Sequence, residues 1–233
     1  NCIAETANFD DDNGHGSHVA GTVAAVDNDL GVIGVAPSAN LYGIKVLNRS
    51  GRGTTSDIIE GMQWAIGHGM DVINMSLGTS SYVEAYEIAT DAVLDAGVVM
   101  VCSAGNSGPD EGTVGYPAAF EGVIAVAATD AADVVASFSS RGPQVDVAAP
   151  GVSVYSTTKS GGYATMSGTS MAAPHVTGTV ALMLGSADPS GNGVWTPLEA
   201  ELRLEGTALD LGVIGFDTAY GWGRIVAPRA VGH

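Results

Sequence analysis

Apolar residues along this chain change period repeatedly, and the periods predict strands alternating with helices. Leu41 to Leu47 is an apolar run of strand length. Ser56 to His68 carries Ile58, Ile59, Met62, Ala65 and Ile66 at helical spacing, with Ser56 or Asp57 as the N-cap. Asp71 to Ser76 reads as a strand and Tyr82 to Ala96 as a helix closed by Gly97. Val98 to Cys102 and Val123 to Ala127 read as further strands, and the apolar run ending at Leu184 as a buried helix. This β-α-β order predicts an α/β fold, a mostly parallel sheet with helices on both faces. In such sheets the functional loops lie at the carboxyl ends of strands, which singles out Leu77-Gly78-Thr79 and Ser103-Ala104-Gly105-Asn106. No repeat, linker or charge block interrupts the chain, so residues 1–233 are expected to form one domain.

Composition then narrows the function classes. Hydrophobic residues make up 45% of the 233 and charged residues 14%, which fits a compact body and excludes a disordered chain. Eight Lys and Arg stand against 25 Asp and Glu, a net charge of −17. Such a surface repels phosphate backbones and anionic membranes, so no nucleic-acid partner is expected. Apolar runs stop at about six residues, against the roughly 20 a bilayer span needs, so no membrane partner is expected either. Lys45 and Lys159 are the only lysines. The acidity reads as a solvated surface, with cation-binding carboxylates, for example for calcium, as the sharper alternative. Cys102 lies in an apolar run and Cys2 at the chain end, which is no disulfide framework. The chain does not begin with Met, and Asn1 to Asp12 is too polar for a signal peptide, so a processed, truncated or partly observed chain is expected.

Three clusters carry chemistry-bearing residues. In Asn13-Gly14-His15-Gly16-Ser17-His18, His15 enters a small-residue helical stretch. A neutral imidazole at a helix N-terminus suits a general base, and a plain loop-bonding histidine is the bland reading. His15 and His18 lack the spacing of a zinc site. In Ser167-Gly168-Thr169-Ser170-Met171-Ala172-Ala173-Pro174-His175, Ser170 lies in the first turn of the buried helix, beside free N–H groups that can hold an oxyanion. Taken alone it is better read as a cap. It is not a GxSxG elbow, and His before Ser contradicts the α/β-hydrolase order. In Ser103-Ala104-Gly105-Asn106, Asn106 is a turn former or a preorganised amide donor.

Taken together, HGSHVAGT, NMSLG, SAGN and GTSMAAPH occur in the order and at the spacings of subtilisin-like serine proteases, which the chain strongly resembles from about Asp11 to Tyr220-Gly221-Trp222-Gly223. The resemblance implies the three-layer subtilisin-like fold and peptide-bond hydrolysis through an acyl-enzyme. Ser170 would be the nucleophile, His15 its base, and the Asn106 side chain half of the oxyanion hole. Extended substrate would lie between Gly51-Arg52-Gly53 and Ser76-Leu77-Gly78. A pocket of Ser103, Ala104, Gly105 and Gly115 would take a large apolar side chain before the scissile bond, with Thr55 and Ile58 bordering a farther subsite. The loop from Val26 to Val32 resembles a calcium loop, with the Asn28 side chain and the carbonyls of Val26, Leu30 and Val32 as ligands, four of the six to eight oxygens calcium takes. The resemblance further implies a secreted monomer acting on peptide and protein substrates, made as a zymogen with its own propeptide as inhibitor and folding aid.

One element of the pattern does not match. The family's order is Asp, His, Ser, with the Asp about thirty residues before the His. Only 14 residues precede His15, and Asp10, Asp11 and Asp12 match the loop just before the His rather than the triad position. The expectation is an incomplete chain whose N-terminal strand, with its Asp, lies upstream of Asn1. The alternatives are a non-catalytic peptide-binding relative and recruitment of another carboxylate.

Overall fold

The computed structural model describes residues 1–3, 7–186, 191 and 193–232. Four parallel strands lie side by side in chain order: β1 (Val72–Met75), β2 (Val99–Ser103), β3 (Ile124–Thr129) and β4 (Val147–Pro150). Parallel neighbours need a crossover, and α3 (Glu84–Asp95) supplies the one from β1 to β2. Side chains alternate across a sheet, and here both faces are buried. Val99, Val101, Ile124 and Val126 meet Val176, Val180 and Met183 of α4 (Thr169–Leu184) on one side. Met100, Cys102 and Ala125 meet Met62 of α2 (Thr55–Gly67) with Tyr86 and Val93 of α3 on the other. Near-continuous apolar strands follow from being covered twice. Two further helices, α5 (Pro197–Thr207) and α6 (Ala227–Ala230), add Ala200, Leu204 and Ala230 to the α4 side.

Two expectations are corrected. The N-cap of α2 is Thr54, not Ser56 or Asp57. Thr54 Oγ1 accepts the Asp57 N–H at 3.2 Å, while the Asp57 carboxylate accepts the Thr54 N–H at 2.7 Å. Asp57 is thus the far half of a capping box, three residues beyond the cap it resembles. Leu41 to Leu47 is extended but not a strand. Among the described residues its one backbone bond to a distant segment runs from the Cys2 N–H to the Lys45 carbonyl, 2.9 Å. A strand is made by its neighbours' hydrogen bonds, and none of the described strands lies beside this run. The antiparallel pair β5 (Val154–Thr157) and β6 (Tyr163–Met166) lies in a polar stretch that apolar periodicity does not mark.

The small residues of α1 (His15–Ala24) wedge it between α4 and β5. A methyl group on Gly21 would collide with Ser156 and Thr157, and one on Gly178 of α4 with Val35. Fully buried His18 faces two hairpin carbonyls, with Nε2 3.1 Å from both Val154 O and Ala164 O. His18 lies near His175, and the Val23 carbonyl lies against Gly178. Contacts therefore advance along both helices together, so α1 and α4 run side by side and start at the same end. At that end stand His15 and Ser170. A cleft of about 2000 Å³ opens there between the 41–47 run and β1, the edge strand of the sheet among the described residues.

The opposite end of the sheet holds an acidic cluster. Asp146, just before β4, accepts the Ala125 N–H at 2.7 Å, and its carboxylate lies within 4.8 Å of those of Glu201 and Glu205 on α5. Burial, with the two glutamates adding to it, pushes Asp146 up to about 8; burial and then Glu205 push Glu201 up to about 7. The folded state therefore keeps protons that the unfolded chain releases from about pH 4 upward, so this stability is present at low pH and lost as pH rises through 7 to 8. His15 and His175, which burial shifts downward, act in the opposite sense but only below about pH 6.5. The melting temperature is accordingly expected to fall from pH 6.5 to pH 9, and Glu201→Gln to flatten the decline. A melting temperature that stays level or rises over that window in the unmodified chain counts against the cluster.

Candidate functional site

His15 owes its place to the glycine before it. Gly14 has φ of 105°, a left-handed conformation that glycine adopts without strain, and it turns the chain into α1 with His15 first. Burial lowers the proton affinity of His15, and the charge of Asp11 opposes that shift in part. The imidazole is thus neutral near pH 7 and able to accept a proton.

Ser170 is the second residue of α4, and Pro174 stands one turn further on. Proline has no N–H, so the Ser170 carbonyl loses its helical donor. The Ser76 hydroxyl replaces it, donating to Ser170 O at 2.8 Å. Asn74 Nδ2 donates to Ser76 Oγ at 2.9 Å, and Thr177 Oγ1 donates to Asn74 Oδ1 at 2.9 Å. A polar chain from β1 thereby fixes the serine's peptide. The Ser170 hydroxyl itself leans toward Ser76 O at 3.4 Å rather than toward His15.

Asn106 follows β2 on an exposed loop. Its Oδ1 accepts the Thr169 N–H at 2.9 Å and the Thr169 hydroxyl at 3.1 Å, which orients the amide and leaves Nδ2 open. A methyl group on Gly168 would lie 3.6 Å from Asn106 Nδ2, 3.7 Å from its Oδ1 and 3.7 Å from Ser170 N. The Asn106 amide thus lies near the Ser170 N–H, which, in the first turn, has no helical acceptor. Such donors suit an oxyanion.

The other predicted residues fall around this centre. Gly51, Arg52, Gly53, Thr55, Ile58, Ser76, Leu77 and Gly78 all line the cleft that His15 also lines. Thr79 and Tyr116 exchange backbone bonds of 2.9 and 2.8 Å, and the Gly115 N–H donates to Ala104 O at 3.0 Å, so Gly78, Ala104, Gly105 and Gly115 converge. Ser103 and Ala104 are buried, so this wall is backbone more than side chain. The loop with Val26, Asn28, Leu30 and Val32 lies after α1, away from this centre. Asn28 Oδ1 accepts the Leu30 N–H at 2.8 Å. Among the described residues no backbone N–H donates to the carbonyls of Val26, Leu30 or Val32, so these three oxygens are without a backbone donor, while Asn28 Oδ1 already accepts one. Sequence reasoning passed over Asn74, Thr169 and Thr177; the readable signal was Pro174, a proline inside a helix that leaves a carbonyl seeking a donor.

Residues 2–223 match the sequence profile described as the subtilase family. Subtilisin DY of Bacillus licheniformis is 52% identical over 204 residues, 87% of this chain and 73% of that protein. The thermostable alkaline protease of Halalkalibacterium halodurans is 45% identical over 228 residues, 98% of this chain and 60% of that protein. Subtilisin E of Bacillus subtilis is 48% identical over 211 residues, 90% of this chain and 54% of that protein. The chain thus spans about half to three quarters of the length of these relatives.

The polar chain behind Ser170 carries its own test. Ser76→Ala leaves the Ser170 carbonyl and Asn74 Nδ2 unpartnered and is expected to cost about 1–3 kcal/mol in urea unfolding. Adding Pro174→Ala returns a helical donor to that carbonyl and should recover part of the loss. Equal costs in the single and double variants would break the link between proline and hydroxyl.

Proposed function

Because this chain belongs to the subtilase family, we propose that it is a serine endopeptidase with Ser170 as nucleophile and His15 as its base. The observation that carries the reading is the Asn106 amide, oriented by Thr169 with Nδ2 left open, near the first-turn N–H of Ser170. Ser170 Oγ turns from Ser76 O and attacks the scissile carbonyl while His15 takes its proton. The carbonyl oxygen becomes an anion between the two donors, which sit ready without reorganisation. Collapse breaks the C–N bond, and His15 hands its proton to the leaving amine. Water then attacks the acyl-enzyme by the same route, returning the proton to Ser170. Substrate lies extended between Gly51-Arg52-Gly53 and Ser76-Leu77-Gly78, in backbone-to-backbone pairing. Side-chain-free Gly115, with Ser103, Ala104 and Gly105, gives a pocket for a large apolar residue before the cut; Thr55 and Ile58 border a farther subsite.

The carboxylate that orients His15 enters, on this reading, from a strand upstream of Asn1 that fills the cleft beside β1. What supports it is the cleft itself: its walls carry Ile44 and Val46 on one side and Val72 and Ile73 of β1, the edge strand among the described residues, on the other, and His15 also lines it. For subtilisins the loss of that carboxylate alone costs about 3 × 10⁴ in turnover, a value that comes from the family itself. The reading also takes the protein to be secreted and monomeric, with a propeptide that inhibits it and aids its folding. Asn28 and the carbonyls of Val26, Leu30 and Val32 would hold part of a structural calcium shell.

A fluorophosphonate probe is expected to label the folded full-length protein and to fail on Ser170→Ala. No labelling of that protein overturns the reading and leaves a peptide-binding relative. Asn106→Leu should lower kcat roughly 10²–10³-fold with KM little changed, again the family's own figure. Removing calcium with a chelator is expected to lower the melting temperature, and returning calcium to restore it. A melt indifferent to both treatments would remove the metal from the loop.

A further inference from the structure

The turn that carries His15 has an unusual support. Gly14, the N-cap of α1, has no side chain, so the first N–H groups of the helix lack the usual acceptor. Asp11 supplies it from three residues upstream. Its Oδ1 accepts the N–H of Asn13 at 3.0 Å and of Gly14 at 2.7 Å. Its Oδ2 accepts both the N–H and the hydroxyl of Ser17 at 2.7 Å. These four bonds gather the residues on either side of His15 around one carboxylate.

The other charges near the turn are otherwise engaged. Asp12 pairs with Lys45 at 2.6 Å, and Lys45 Nζ also donates to Asp10 O at 3.0 Å. Lys159 Nζ donates to Asp12 O, and its stem lies beside Gly14. Both lysines of the chain therefore fasten the acidic loop rather than neutralise Asp11. His18 lies on the next turn of α1, and His175 faces His18 from α4. Against burial, which raises it, the bonds from Gly14, Ser17 and Asn13 hold Asp11 down at about 2, so it is charged wherever a histidine titrates.

We propose that Asp11 is a positioning residue for His15, fixing the imidazole's turn and keeping one unpaired negative charge beside it. This rests on the reading of His15 as a base, and it adds a second carboxylate to that histidine, distinct from any that enters through the cleft. The charge favours the imidazolium formed when His15 takes a proton, and the four bonds set where the ring stands. Loss of the carboxylate therefore acts twice: on proton affinity and on geometry.

The test is an NMR titration of His15 in the full-length protein, assigned with His15→Gln and run beside kinetics. Asp11→Asn should move the His15 midpoint to lower pH, and the acid limb of kcat/KM with it. Asp12→Asn, one residue away in the same loop, should move the midpoint less. Ser17→Ala removes one of the four bonds, that from the hydroxyl to Asp11 Oδ2, and leaves the three backbone bonds and the charge; it should leave the midpoint in place and lower kcat. A loss of about tenfold in kcat with KM unchanged is expected for Asp11→Asn and Ser17→Ala, the scale of a small misplacement of a catalytic group. An unmoved midpoint in Asp11→Asn, or an equal move in Asp12→Asn, overturns the proposal. If Asp11→Asn does not fold, full kcat in Ser17→Ala overturns it instead. An unmodified protein without peptidase activity overturns the protease reading and leaves the titration result standing.

Discussion

The close approach of α1 and α4 is the constraint on which the site depends. Glycine 178 lets α4 press against Val35 and the Val23 carbonyl, and Gly21 lets α1 press against the hydroxyls of Ser156 and Thr157. A side chain at either position would push the helices apart and displace one N-terminus relative to the other. Because contacts advance together along both helices, their first residues share one end of the molecule, and the imidazole and the hydroxyl come from those first residues. Interiors packed at crystal-like density transmit such displacements rather than absorb them.

Polar satisfaction does the rest of the positioning. Pro174 deprives the Ser170 carbonyl of its helical donor, and the donor that replaces it comes from β1, through Ser76, Asn74 and Thr177. The Asn106 amide is oriented by Thr169, the residue before the serine. The His15 turn is held by Asp11 instead of by a cap at Gly14. In each case a group left short by the local sequence is completed by a partner elsewhere. Half-buried groups of this kind cost free energy when unpaired, so each pairing fixes a geometry as well as stabilising it.

Much of the fold was legible in the sequence, for reasons tied to particular segments. Val99 to Ser103 and Ile124 to Thr129 are apolar on both faces because helices cover both, and a fully covered strand needs no alternation to be recognised. The helix from Thr55 to Gly67 was marked by its apolar stripe, though its cap was not, since Asp57 resembles a cap while serving as the partner of one. The hairpin of β5 and β6 was illegible because its polar face and its contact with α1 depend on His18, Ser156 and Thr157 meeting across more than a hundred residues. Leu41 to Leu47 has strand composition without strand pairing, because pairing belongs to the neighbour and not to the segment.

The sequence by itself singled out the candidate residues: an imidazole after a glycine, a serine in a helix's first turn, and an asparagine after a strand are local patterns, each ambiguous alone and given a role only by the resemblance they carry together. It also determined the sign of the surface, since net charge is a count. Only the tertiary structure decided what those residues face. That the Asn106 amide lies near Ser170 N, that Ser76 completes the Ser170 carbonyl, and that Asp11 gathers the His15 turn all depend on distances between atoms. Asp146, Glu201 and Glu205, unremarkable as three acids in a chain of 25, become a proton-holding cluster only when a strand end and a helix bring them within 4.8 Å in a place that water reaches poorly. Electrostatic energy depends on separation and on the surrounding dielectric, and folding sets both.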